Sequence, residues 1–358
     1  MKILITGICG FTGSHLATAI AERIEHAEIF GIDNLLRPGS ETNRMALASR
    51  GVRFIHGDLR VRSDVDALPA CDWVVDAAAH PSVLAGVDGR SSSRQLGEHN
   101  LQGTMNILEY CRERKAGIVL LSTSRVYSIR DLAALPVAER DGAFVLDSAR
   151  PLPGGVSKAG VDESFSVRQP ISLYGATKLC SEIMALEYGG AFQFPVWINR
   201  CGNLAGAGQF GTAEQGIFSY WIHAHSQRSP LRYIGFGGHG YQVRDAFHPS
   251  DLAELISLQI KRDPGNSHAD SIYNAGGGAC NSMSIAQLAG WCDERFGKHT
   301  PEVDARPRPF DIPWMVMDSS LATGEFGWKP CRSLESILEE IAAHAREHPE
   351  WSALCAAT

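Results

Sequence analysis

Residues 1–15 read MKILITGICGFTGSH. Lys2-Ile3-Leu4-Ile5-Thr6 is an apolar, branched run of strand length, and Gly7, Gly10 and Gly13 follow it at GxxGxxG spacing before a helical pattern begins. A strand, a glycine-punctuated turn and a helix, in that order, form the opening βα unit of a dinucleotide-binding sheet. Gly7 permits the tight turn, Gly10 lets the backbone approach a pyrophosphate, and Gly13 lets the helix lie close on the sheet. The N–H groups of Phe11 and Thr12 then face the anion at the positive helix end. Three glycines alone are a weak signal. The next strand pattern, Glu28 to Ile32, strengthens it by ending in Asp33, about twenty residues past Gly13, where a carboxylate hydrogen-bonds the adenosine ribose. Asp33 repels a 2′-phosphate, and Asn34 brings no charge to bind one. The expected cofactor is NAD rather than NADP.

Outward from this unit the alternation continues. Leu16, Ile20 and Ile24 recur at helical spacing, and further strand patterns follow at Val52–His56, Trp73–Asp76 and Gly117–Leu121. Asp58, just past the third strand, is placed to meet the adenine amino group. Ala77, Ala78 and Ala79 let the backbone pass close under the cofactor. Five strands separated by helices predict an α/β, Rossmann-type doubly wound parallel sheet, with a smaller C-terminal substrate lobe. The expected division is an NAD-binding domain over 1–198, completed by about 243–272, and a nucleotide-sugar lobe over 199–242 and 273–358. Helices are expected at about 213–228, 250–262, 284–297 and 333–347. The proline- and glycine-rich stretch Ser128–Leu173 reads as a substrate-covering flap.

The chain has 358 residues, 44% hydrophobic and 20% charged, enough for a large globular core. A net charge of −7 with no basic run argues against nucleic acid or anionic membrane as a partner. The nine cysteines are scattered with no CxxC pair, which favours reduced thiols and a cytoplasmic location over disulfides or zinc. No signal peptide is expected before the first strand, and no apolar run approaches the roughly twenty residues that span a bilayer. No metal is expected, because nothing groups the thirteen histidines with carboxylates at ligand spacing.

Tyr174-Gly175-Ala176-Thr177-Lys178 puts a phenol and an ammonium four apart on one helix face. A free tyrosine titrates near pH 10, so a base at neutral pH needs its phenolate stabilised, and Lys178 and a cationic nicotinamide ring both do so. Lowering the pKa by about three units takes roughly 4 kcal/mol. Thr123, ending the fifth strand, offers a hydroxyl to the same substrate oxygen. YxxxK alone is a common accident; joined to the glycine turn, Asp33 and Thr123, it is a site.

Taken together these motifs resemble the extended short-chain dehydrogenases/reductases of the NAD-dependent sugar epimerase/dehydratase family, over nearly the whole chain. The matching elements are GxxGxxG, Asp33-Asn34, Gly57-Asp58-Leu59, STSRVY at Ser122–Tyr127, and YGATK. The resemblance implies Thr123, Tyr174 and Lys178 as catalytic residues, with Lys178 binding the nicotinamide ribose. It adds Arg37, Leu59, Asn100 and Ser122 to the cofactor site, and Asn203, Gln209, Gln215, Arg244 and Arg308 to the substrate site. Arg244 and Arg308 match diphosphate-binding arginines, a task that suits a planar fork of donors. A nucleotide-sugar substrate and a homo-oligomer are the expected partners. Family dehydratases carry Asp-Glu after the catalytic threonine, and decarboxylases keep a glutamate there. Here Ser124 and Arg125 occupy the two positions, so an epimerase is expected. Three segments, Asp33–Asn43, Gly208–Gly216 and Gly235–His248, are similar to those of family members that invert carbon 2 of a CDP-linked deoxysugar. A UDP-sugar 4-epimerase is the alternative, and a non-catalytic NAD-binding protein a remoter one. Ser128 departs from the family's usual glycine, at a turn.

Overall fold

The computed structural model describes residues 1–87, 89, 92–262 and 271–356. Seven parallel strands form the central sheet. β1 (Lys2–Thr6), β2 (Glu28–Asp33), β3 (Arg53–His56), β4 (Trp73–Asp76) and β5 (Gly117–Thr123) are joined by Val196–Cys201 and Ile272–Ala275. The order across the sheet is β3, β2, β1, β4, β5, Val196–Cys201, Ile272–Ala275, a doubly wound arrangement. The inner strands are buried on both faces, which explains their near-continuous apolar sequence.

One face is covered by helix α1 (Phe11–Arg23) and helix Pro249–Lys261, whose Leu16, Ile20, Leu252 and Ile256 are fully buried. The other face is covered by helices Gly103–Arg114 and Ser172–Phe192, through Ile107, Leu108 and Ala185. Helices Ile217–Ser226, Ile285–Phe296 and Leu334–Glu347 make a separate core with Trp221, Leu288 and Ile341. Strand Val196–Cys201 crosses residue 198, and Val243–Phe247 pairs in a small outer sheet with Ser282–Ser284 and Trp314–Met315. Of the segment 243–272 expected to complete the sheet, residues 263–270 lie outside the described residues. Among the described residues no helix is long and apolar enough to cross a membrane.

The stretch 128–173 is not a flap. It holds a short helix, Ile129–Ala133, and a hairpin, Val137–Arg140 with Ala143–Leu146. Leu132, Leu135, Val161 and Phe165 bury themselves against Trp314, Met315, Val316 and Met317. Its apolar residues give it a core of its own, which the proline and glycine count does not disclose.

A buried ion pair fixes the helix that carries Tyr174. Arg200 donates to both carboxylate oxygens of Glu182, with Nη2–Oε2 at 2.7 Å, and the two side chains are only 6% and 2% exposed. Ser122 Oγ donates to the same carboxylate, and Arg200 lies over the ring of Tyr127, whose hydroxyl donates to Asn274 at 2.7 Å. Glu182→Ala leaves a guanidinium buried without its counter-ion and is expected to cost about 3–5 kcal/mol in denaturant unfolding, whereas Glu182→Leu with Arg200→Met recovers most of the loss. A single variant as stable as wild type would contradict this.

Candidate functional site

Between the carboxyl ends of β1–β5 and the outer lobe lies a cavity of about 900 Å³. Its floor is the β1–α1 turn. Gly7 has φ +61°, and a Cβ there would stand 2.9 Å from Ala78 Cα; a Cβ on Gly13 would stand 2.2 Å from the Gly7 carbonyl oxygen. Only glycine allows both approaches. No side chain caps the start of α1, so Gly10, Phe11, Thr12 and Gly13 present an open helix N-terminus to the cavity. An uncapped helix end over a glycine cradle fits a pyrophosphate.

Asp33 ends β2 inside this cavity. Its carboxylate accepts from the N–H groups of Cys9, at 2.9 Å, and Leu35, at 2.8 Å. Burial raises its pKa, and those N–H bonds oppose the shift. A carboxylate has about four acceptor positions, so these bonds leave capacity for a diol. Asp58 is engaged more heavily. Arg60 donates to both its oxygens, Asn34 donates to Oδ2 at 3.1 Å, and Arg60 holds its pKa well below the usual carboxylate range. Leu59 and Ala77–Ala79 line the cavity, and the Ala78 N–H donates to Thr6. Arg37 lines it too, but its guanidinium donates to the Phe210 carbonyl at 2.6 Å and clamps the loop after β2 to the outer lobe.

The reacting end is built from β5 and helix Ser172–Phe192. A Cβ on Gly175 would stand 2.3 Å from the Arg125 carbonyl oxygen, so glycine there lets the helix close on the strand end. Tyr174 is thereby hydrogen-bonded to Thr123, whose Oγ1 also accepts the Arg125 N–H at 3.2 Å. Burial pushes the phenol up to about 12, opposed by Thr123 and by the charge of Arg125. In the protein without cofactor, the cation acting on the phenol is Arg125. Lys178, 2% exposed, is buried behind Tyr174, where burial lowers its pKa and Asp76 and Glu182 favour its charge.

Two expected site residues stand behind the cavity wall rather than on it: Lys178 and Asn100. Asn100 accepts the His80 N–H at 2.7 Å and donates to the Thr177 hydroxyl at 3.1 Å, joining the loop after β4 to the tyrosine helix. Ser122 reaches the wall, yet its hydroxyl is taken by Glu182.

The substrate-side residues Asn203, Gln209, Gln215, Arg244 and Arg308 all line the cavity. Arg244 pairs with Asp311 at 3.2 Å and donates to the Ile312 carbonyl; Arg308 donates to the Ala213 carbonyl at 3.0 Å. Gln209 donates to the Leu204 carbonyl, and Gln215 lies 3.5 Å from Arg37. Arg60, Arg125 and Asp311 belong to the wall and were not assigned from sequence. Arg125 sits inside STSRVY, but that motif shows only what the position lacks, a carboxylate.

One further grouping is visible only in three dimensions. His15, His248 and Glu340 place ligand atoms within 4.8 Å of one another, which corrects the reading that no histidines join a carboxylate. Glu340 is already engaged by His248 at 3.3 Å, by the Ala207 N–H and by Arg332. These internal partners account for the cluster.

Comparison with known proteins bears on the whole chain. The profile of the NAD dependent epimerase/dehydratase family matches residues 3–276. CDP-paratose 2-epimerase of Salmonella typhi is 29% identical over 359 residues, covering 95% of this chain and 98% of that protein. UDP-glucose 4-epimerase of Streptomyces lividans is 27% identical, covering 98% and 97%. The crystal structure of the Thermus thermophilus UDP-glucose 4-epimerase in complex with NAD superposes with a TM-score of 0.71 at 25% identity, covering 97% and 99%.

Cofactor selectivity is tested by titrating NAD and NADP against wild type and Asp33→Ala. Wild type is expected to prefer NAD at least tenfold, about 1.4 kcal/mol, with the gap narrowed in the variant. Equal affinity in the wild type would contradict the role given to Asp33.

Proposed function

The chain belongs to the NAD dependent epimerase/dehydratase family and uses NAD, and from that premise we propose that it inverts carbon 2 of a CDP-linked deoxysugar of the paratose type. The observation that carries an epimerase is the composition of the reacting end. Two hydroxyls, Thr123 and Tyr174, meet there beside a guanidinium. Asp311, a cavity acid on the same side, is tied to Arg244. Dehydratases of the family carry Asp-Glu, and decarboxylases a glutamate, where this chain has Ser124 and Arg125, whereas reversible oxidation needs only a proton acceptor. The nearly full-length likeness to a CDP-paratose 2-epimerase supports the sugar and the carbon.

Bound NAD supplies the hydride acceptor and later donor. The chain handles the proton. Thr123 and Tyr174 hold the sugar hydroxyl, and Tyr174 takes its proton as the carbon gives up hydride. Lys178, one turn along the same helix and buried, takes the role of holding the nicotinamide ribose. The keto-sugar turns its other face while the nucleotide end stays held by Asn203, Arg244 and Arg308. With the opposite face presented, Tyr174 would return the proton to the oxygen. The phenol of the protein alone is pushed up to about 12, so it rests protonated and becomes a base only when cationic charge arrives with the cofactor.

Tyr174→Phe is expected to lower turnover by about 10²–10⁴-fold while leaving NAD bound, and Thr123→Ala to be milder. Near-normal turnover in Tyr174→Phe would remove the assigned base. Incubation with CDP-paratose, CDP-glucose and UDP-glucose, followed by NMR, tests the substrate. Inversion at carbon 2 of CDP-paratose is expected. Inversion at carbon 4 of UDP-glucose with CDP-sugars untouched would make the protein a 4-epimerase, the reading favoured by its likeness to the Streptomyces enzyme.

A further inference from the structure

Arg125 bridges two parts of the cavity that the reaction treats separately. Its main-chain N–H is bound to Thr123 Oγ1 at 3.2 Å, at the reacting hydroxyls. Its guanidinium reaches the other way, with Nη1 3.4 Å from the Phe310 carbonyl, into the loop that carries Arg308 and Asp311. Among the described residues no carboxylate lies within ion-pair distance of Arg125 or Arg308. Arg244 alone of the three arginines has one, in Asp311. Asp245, beside Arg244, turns its carboxylate away onto the N–H groups of Gly277 and Gly278. Within ion-pair distance the three guanidinium groups share one carboxylate, which leaves positive charge for an anionic group of the substrate.

We propose that Arg125 is a specificity-determining residue that grips the sugar-linked phosphate of the nucleotide sugar and so holds the sugar at the hydroxyls of Thr123 and Tyr174. The inference rests on the reading of the protein as a nucleotide-sugar epimerase. A guanidinium has five donors in a fixed fork, of which Phe310 uses one, so bidentate contact with a phosphate stays open. The unmatched positive charge makes an anion the natural occupant. Burial, with Arg244 and Arg308 nearby, pushes the Arg125 pKa down to about 10, a strain that a bound dianion relieves.

The experiment measures binding of CMP, CDP, UDP-glucose and UDP-glucuronate to the NAD-loaded protein by calorimetry, for wild type, Arg125→Met and Arg125→Lys. CMP lacks the sugar-side phosphate and should bind Arg125→Met as it binds wild type. CDP should bind Arg125→Met about tenfold or more weakly, as expected for loss of a charged hydrogen bond, with part of the loss restored in Arg125→Lys. Equal losses for CMP and CDP, or no loss for either, would overturn the proposal. So would tighter binding of UDP-glucuronate than UDP-glucose that Arg125→Met abolishes, since Arg125 would then read a sugar carboxylate. A wild type that binds none of the four refutes the nucleotide-sugar reading itself. If Arg125→Met does not fold, the same CMP-against-CDP difference is read in Arg125→Lys, which keeps the charge but loses the fork and should lose several-fold on CDP alone.

Discussion

The buried contact between Arg200 and Glu182 is what the reacting end depends on. Arg200 belongs to the strand beside β5 and Glu182 to the tyrosine helix, so the pair presses that helix onto the sheet two turns beyond Tyr174. Ser122 joins it from β5, and Tyr127 and Asn274 extend it to the last strand. The desolvation of such a pair roughly cancels its attraction, so its value lies in position rather than net stability. It sets the register between Thr123 on the strand and Tyr174 on the helix. Gly175, against the Arg125 carbonyl, removes the side chain that would hold the helix off.

From this fixed corner the cavity divides by charge. On the α1 side the cavity presents an open helix end and a glycine turn, which carry only partial charges. On the lobe side it presents Arg244 and Arg308, with Asp311 paired to the first. The chain as a whole carries −7, so these are local concentrations of positive charge against an acidic background. A dinucleotide held by main-chain groups and a substrate held by arginine forks suit a cofactor that stays and a sugar that must turn over.

Much of this was legible between Met1 and Lys178, because there the determinants are local. Glycine spacing, an acid at a strand end and a phenol four residues from an ammonium each stand within a short stretch of chain. The order of five strands followed from alternating patterns alone. What escaped was set by distance. A return to the sheet by about residue 272 is expected from the sequence, but no short-range pattern marks Val196–Cys201 as the partner that Ile272–Ala275 meets after its excursion through the outer lobe. Lys178 and Asn100 are buried and do not line the cavity, and neither fact can be read from their places in the sequence. Residues 128–173 are punctuated like a loop but pack through Val161 and Phe165 onto Trp314–Met317, far along the chain. Arg125 was visible as a letter, and its meaning came only from the arginines folded around it.

The central claim is that inversion proceeds by hydride leaving and returning to the same carbon, with Tyr174 carrying only the hydroxyl proton. Turnover of CDP-paratose in deuterated water tests it most directly, with NMR of the product at the inverted carbon. Direct hydride return predicts complete inversion with no deuterium on that carbon. Deuterium there would mean the carbon-bound hydrogen had been exchanged with solvent as a proton, and would contradict the account.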